Sequence, residues 1–238
     1  MVARADYGID APGDVAKFVL AGLTMAGVGA LVAGWRGRSR AALVALGLGG
    51  WLLFIAGLLV LSSKVGKLRE RDRLIRSIEL HGEESVLDVG CGRGLLLIAA
   101  AKHLSGGFGV GIDIWSTIDQ SGNSPHALVA NASVERITER VRPASGDARW
   151  LPFADESFDV VISNLALHNL GDSAGRAQAV GEIARVLKAN GRVAIADLAH
   201  THHYAAKLRE AGLKDVHQSS PHFFIFPPVR VVTGTKPT

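Results

Sequence analysis

The chain predicts an α/β fold with a mostly parallel sheet, placed behind two helices of membrane-spanning length. Three observations carry this. Strand-like and helical runs alternate from residue 85 onward, a bare glycine turn follows the first such run, and two long uncharged stretches precede residue 64. Such alternation buries parallel strands between layers of helices.

The uncharged stretches are residues 18–35 and 41–61. At about 1.5 Å per residue they reach roughly 27 and 31 Å, close to the roughly 30 Å of bilayer hydrocarbon. Arg36-Gly37-Arg38-Ser39-Arg40 separates them, which leaves room only for a tight antiparallel hairpin. Small residues recur at every fourth position, Gly22, Ala26, Ala30 and Gly34 in the first and Ala41, Ala45 and Gly49 in the second. Stripes of this kind let helices approach closely in lipid, within one hairpin or between two chains, so a homo-oligomer stays open. A signal peptide fits poorly, because Asp6, Asp10 and Asp14 stand against only Arg4 and Lys17 and a second span follows. A helical hairpin buried in a soluble protein is the competing reading. Eight Lys and Arg flank the hairpin's ends against three in its turn, which favours both tails in the cytoplasm.

These lengths divide the chain into a membrane hairpin, 1–63, and an α/β domain, 64–238, a size that suits one ordinary domain plus an appendage. The formal charge is +4, with six basic residues concentrated in 64–76 and no basic tract interleaved with aromatics. Nucleic acid is therefore not an expected partner. The single cysteine, Cys91, excludes an internal disulfide and a multi-cysteine zinc site.

Residues 64–80 read as a charged amphipathic helix that "HGEES" breaks. SVLDVG, FGVGIDI, RVRPASGD, FDVVISNL and GRVAIADL then read as strands, with helices at 95–104, about 126–139 and 174–188. In open sheets of this kind ligands bind beyond the carboxyl ends of the strands. The polar residues cluster there: the turn Asp88-Val89-Gly90-Cys91-Gly92-Arg93-Gly94, Asp113, Asp147, and residues 164–169. Glycines between a strand and a helix let backbone approach a ligand with no Cβ in the way. Dinucleotide sites use the same device, and a nicotinamide-dependent oxidoreductase is the rival enzyme class. Here the spacing is G-x-G-x-G rather than G-x-G-x-x-G, and Asp147 and the fourth-strand block argue against that rival.

The motifs DVGCGRG, GIDI, GDARWLPFADESFDVV and RVLKANGRVAIAD, in that order, resemble the class I S-adenosylmethionine-dependent methyltransferases. The likeness is to the small-molecule branch that includes ubiquinone- and menaquinone-type enzymes, and it covers about residues 66–238. It implies a Rossmann-like sheet of seven strands with the last antiparallel, and S-adenosylmethionine as cofactor. It also implies that Asp88, Gly90, Cys91, Gly92 and Gly94 line the methionine pocket. Asp113 would hold the ribose, Ile114 would pack on adenine, and Asp147 with Ala148 would meet the adenine amino edge. Asn164 and Leu165 would flank the sulfonium, with His168 and Asn169 facing the methyl acceptor. One departure is that Asp197 is followed almost at once by "LAHTHHYAAKLREAGL", which leaves no room for the substrate roof of quinone-type relatives. The long piece "DIWSTIDQSGNSPHALVANA" is placed to cover the adenosine side instead.

His168 is the candidate catalytic residue, because an imidazole suits deprotonation of a hydroxyl or thiol acceptor. A structural hydrogen bond capping the "NLALHNL" turn is its competing role. Cys91 reads as a small packing residue rather than a nucleophile. His200, His202 and His203 have no carboxylate at ligand spacing, so no metal site is expected. The functional expectation is a membrane-anchored methyltransferase for a small hydrophobic or interfacial acceptor. The alternatives are the oxidoreductase and a membrane module that holds the cofactor without turning it over.

Overall fold

A computed structural model describes residues 4–37 and 39–238. Met1 to Ala3, and Arg38 in the arginine-rich turn, lie outside the described residues.

The two apolar stretches form α1 (Pro12–Arg36) and α2 (Arg40–Leu61), with the Ser39 hydroxyl accepting from Ala42 N–H at the start of α2. The buried positions along the hairpin are Gly22 and Gly29 on one helix and Ala42, Gly49 and Ala56 on the other. Their spacing is seven, not the expected four. Helices that wrap around one another return to the same seam every heptad, so Ala30, Gly34 and Ala41 are left exposed, while Gly22 and Ala26, four apart as expected, both meet Gly49. A Cβ on Gly49 would lie 2.7 Å from Ala26 N and 2.8 Å from the Gly22 carbonyl, whereas one on Gly34 would meet nothing within 4 Å. The remaining faces, including Leu20, Leu31, Val44, Trp51 and Phe54, are exposed.

α2 does not stop at Leu61. It passes through a π-helical turn, Ser62–Gly66, into α3 (Lys67–Ser77). Leu74, Ile75 and Ile78 bury one face of α3 against the sheet. The strands and helices that follow are β1 (Ser85–Val89), α4 (Leu95–Ala101), β2 (Phe108–Asp113), α5 (Pro125–Val134), β3 (Val141–Ser145), β4 (Phe158–Asn164), α6 (Ser173–Val186), β5 (Leu187–Asp197), α7 (Thr201–Glu210), β6 (Lys214–Gln218) and β7 (Arg230–Thr235). They make one sheet in the order β3-β2-β1-β4-β5-β7-β6. The first five strands are parallel, and β7 runs antiparallel to both β5 and β6. Near-continuous apolar runs such as Val160, Val161 and Ile162, all fully buried, reflect a sheet covered on both faces. α7 begins four residues after Asp197, so no roofing insertion follows β5.

Residues 4–11 depart from a simple hairpin leader, because they run across the α/β domain. Ser121 N–H donates to the Ile9 carbonyl, Ala11 N–H donates to the Asp119 carbonyl, and the Asn131 side chain bonds both the amide and the carbonyl of Asp6. Lys67, 2% exposed, ties this strap to α3. Its ammonium donates to the carbonyls of Tyr7 and Gly8 and to Asp10. Burial lowers the Lys67 pKa, opposed by Asp10. The strap and the loop after β2 therefore lock together at the carboxyl edge of the sheet, the edge from which both hairpin helices depart.

Candidate functional site

Asp88, the last residue but one of β1, is fully buried. One oxygen, Oδ2, accepts from Leu97 N–H at 3.0 Å, and Oδ1 has no partner among the described residues. Burial, with Asp113 nearby, pushes the Asp88 carboxyl up to about 8. A buried acceptor without a partner is costly unless a ligand satisfies it. The turn that follows takes positive φ at Gly90 (73°), Gly92 (52°) and Gly94 (81°), a conformation that favours glycine. The amides of Gly90 and Cys91 fold back onto the Ile112 carbonyl of β2. A Cβ on Gly90 would lie 2.2 Å from that of Ala166, so the turn also needs its bareness to seat the loop after β4.

Asp113 closes β2, next to that turn. Its carboxylate accepts from Gly92 N–H at 2.8 Å, Trp115 N–H at 2.6 Å and the Asn123 side chain at 3.2 Å. Oδ1 takes the last two of these bonds and Oδ2 only the first, so Oδ2 keeps a lone pair that a hydroxyl can share. Ile114, 65% exposed, is uncovered. Asp147 lies beyond β3, where Arg149 binds it and holds its carboxyl below the usual range. Ala148 packs against the main core. Cys91 is buried beneath Gly111, whose missing Cβ makes room for the sulfur. Burial, then the Asp88 and Asp113 charges, drives its thiol pKa well up, so it stays a protonated packing group.

Asn164 ends β4, and the loop after it carries Leu165, His168 and Asn169. Leu165 adopts φ 55° and donates its N–H to the Ala196 carbonyl. His168 Nδ1 lies 2.6 Å from Asp197, the last residue of β5. Asp197 is buried and also accepts from the amides of His168 and Leu198 and from the Tyr204 hydroxyl. A carboxylate at Nδ1 fixes the proton there and leaves Nε2 as an acceptor. No hydrogen bond occupies Nε2 among the described residues, and the His168 side chain is partly exposed. Nδ1 is thus taken up by the structural hydrogen bond to Asp197, and Nε2 is left open.

Sequence reasoning missed Asp197 as the partner of His168, although it is a fourth acid at a strand tip, like Asp88 and Asp113. It also missed Gln120, whose side chain accepts from Arg93 N–H and donates to the Tyr7 carbonyl. A separate cavity of about 480 Å³ lies between the strap, α3 and α5, lined in part by Asp6, Lys64 and Arg71. None of the strand-tip acids lines it.

Residues 87–195 match the family model described as "Methyltransferase domain". Residues 87–195 are thus a methyltransferase domain of the class I S-adenosylmethionine-dependent kind. Two curated relatives align over this region. The "uncharacterized methyltransferase YcgJ" of Bacillus subtilis is 33% identical over 132 residues, covering 56% of this chain and 46% of its own length. A demethylmenaquinone methyltransferase of Lactiplantibacillus plantarum is 36% identical over 126 residues, covering 52% and 48%. This chain thus spans about half the length of the curated relatives it matches. The crystal structure of YcgJ superposes with a TM-score of 0.57 at 19% identity, over 71% of this chain and 99% of that one. The [4+2]-cyclase SpnF superposes at 0.59 with 20% identity, over 72% and 81%. At these identities the superpositions establish the fold. The methyltransferase domain meets S-adenosylmethionine's demands in kind. It offers an unpartnered buried acceptor for a cationic end, a lone-pair-bearing carboxylate for hydroxyls and a bare backbone turn between them.

Proposed function

We propose that this chain is a membrane-anchored methyltransferase acting on a small hydrophobic or interfacial acceptor, with its α/β domain on the cytoplasmic side. One observation carries the reading: the acid-tipped strands and the His168–Asp197 pair share the carboxyl edge from which the apolar hairpin departs. An acceptor dissolved in the bilayer would reach that edge without crossing open water. The likeness to a demethylmenaquinone methyltransferase supports a quinone-like or other lipid-soluble acceptor.

S-adenosylmethionine, when bound, supplies an electrophilic methyl group whose leaving group departs neutral. Asp88, Gly90, Cys91, Gly92 and Gly94 would hold its methionine end, and Asp113 its ribose. Ile114, Asp147 and Ala148 would hold the adenine, with Arg149 yielding part of Asp147. Asn164 and Leu165 would border the reacting centre. The chain's main contribution is to hold the acceptor at near-attack distance, an effect worth roughly 7–11 kcal/mol. Where the acceptor loses a proton, His168 takes it at Nε2 while Asp197 stabilises the imidazolium through Nδ1–H. Tyr204 and the two backbone amides hold Asp197 immobile in its buried seat.

The test uses the full chain in lipid nanodiscs. Calorimetry should register S-adenosylhomocysteine and not NAD; the reverse result returns the oxidoreductase reading. Label from methyl-labelled S-adenosylmethionine should then enter the organic-soluble fraction of a membrane extract. Binding without any transfer would leave a cofactor-holding module. For a proton-bearing acceptor His168→Gln should lower kcat by about 10²–10⁴ with little change in cofactor affinity.

A further inference from the structure

Between β6 and β7, residues 219–229 form a closed, displayed knuckle. His222 and Val229 exchange both backbone hydrogen bonds, 2.7 and 3.2 Å, and so clamp its neck. Inside, His222 Nδ1 meets Glu70 of α3 at 2.6 Å, with both side chains buried, and Ile225 is buried beside them. Outside, Phe223 is 78% exposed, Phe224 46% and Phe226 38%. A rigid loop that turns three phenylalanines away from its own core lacks the partner that would cover them.

Its place in the fold identifies that partner. Phe226 N–H donates to Ser62 Oγ at 2.9 Å. A Cβ on Gly66 would strike the Phe224 carbonyl, so the knuckle lies directly on the π-helical turn. Ser62 is the first residue after α2, at the level where the uncharged stretch ends. The phenylalanines therefore continue the apolar surface of the hairpin sideways at its exit, beside the exposed Lys64, which suits anionic headgroups.

We propose that this knuckle inserts its phenylalanines into the bilayer interface, as a third membrane contact that holds the carboxyl edge of the sheet face-down on the lipid. The proposal rests on the hairpin being in the membrane, and its test separates the two. Variants of the full chain with one added cysteine carry a bimane probe at Phe223→Cys, at Leu48→Cys halfway along α2, or at Glu139→Cys on the opposite edge of the sheet. The unmutated chain, whose one cysteine is buried, gives the background. Nanodiscs contain phospholipids with a nitroxide near the top or near the end of the acyl chain.

The expected result is at least about twofold quenching of the Phe223 probe by the shallow nitroxide. The deep nitroxide should quench the Leu48 probe, and neither should quench the Glu139 probe. Quenching at Leu48 with none at Phe223 overturns the proposal and leaves the hairpin in place. Absence of quenching at Leu48 overturns both. A Phe223→Cys chain that forms disulfide-linked dimers and escapes quenching overturns it in favour of a second copy on this surface.

Discussion

The hairpin and the α/β domain are both rich in Leu, Val, Ala and Gly, and they treat those residues in opposite ways. Along β4, Val160, Val161 and Ile162 are completely buried, whereas along α1 and α2 only the seam at Gly22, Gly29, Ala42, Gly49 and Ala56 is covered among the described residues of the uncharged stretches. The domain satisfies its apolar surface with its own chain. The hairpin closes one narrow seam and turns the rest outward, which in water would leave a large uncompensated patch. Similar composition thus has two different fates, and substitutions that report on one region should be silent in the other.

The largest expected contrast is in pH. Asp88 has no counterpart in the hairpin. Folded, its carboxyl keeps its proton up to about 8, against 3.8 for an ordinary solvated aspartate. The folded state therefore binds the extra proton between those values, and stability falls as pH rises through that window, by on the order of 5 kcal/mol at most. Urea unfolding of the ligand-free chain should show this loss between pH 5 and 8. Asp88→Asn should flatten it. A wild-type profile as flat as the variant's would mean that Oδ1 is satisfied after all.

Next in size is a paired truncation. Ile162→Ala, at a fully buried position, should cost about 2–5 kcal/mol in domain unfolding. Leu48→Ala, on the outward face of α2, should leave that transition within about 0.5 kcal/mol of wild type. Equal effects would show that the hairpin's outward face is packed. Leu48→Arg reverses the pattern. It should disfavour membrane integration by about 3 kcal/mol, read as the fraction resisting carbonate extraction, while the domain's cofactor affinity holds. A normal integrated fraction would count against lipid as the hairpin's surroundings.

The smallest effect concerns the junction between the regions. Lys67→Met removes the cation that gathers the carbonyls of Tyr7 and Gly8 and the Asp10 carboxylate. Loss of those bonds should cost about 1–3 kcal/mol and free the strap. Hydrogen exchange at the amides of Ile9 and Ser121 is the measurement. Unchanged protection there would show that the strap is held without α3.

Local pattern made much of this legible. Strand ends at Asp88 and Asp113, the helices between them and the two apolar stretches all follow from runs and periods that lie within a few residues of one another. The glycine turn was recognisable because positive φ leaves a trace in residue type. The hairpin seam was legible only in part, since Gly22 and Gly49 were found but the heptad step was not. A helix's own turn suggests a step of four, and only the mutual wrapping of two helices selects seven.

Pairings across the chain left no such trace. His168 finds Asp197 at a separation of 29 residues, Gln120 finds Tyr7 at 113, and Phe226 finds Ser62 at 164. Glu70 and Lys67 look from sequence like members of a solvated helix face, yet each is buried against a segment far away in the chain.

From the residues in order came the element sequence, the acids at the strand tips and the two lengths suited to lipid, because periodicity and turn chemistry act over short distances. Folding in three dimensions decided which acid steadies the imidazole, which lysine anchors the strap and where the exposed phenylalanines come to rest. Those outcomes depend on which strand tips and loops the sheet order makes neighbours, and a linear pattern does not encode that adjacency.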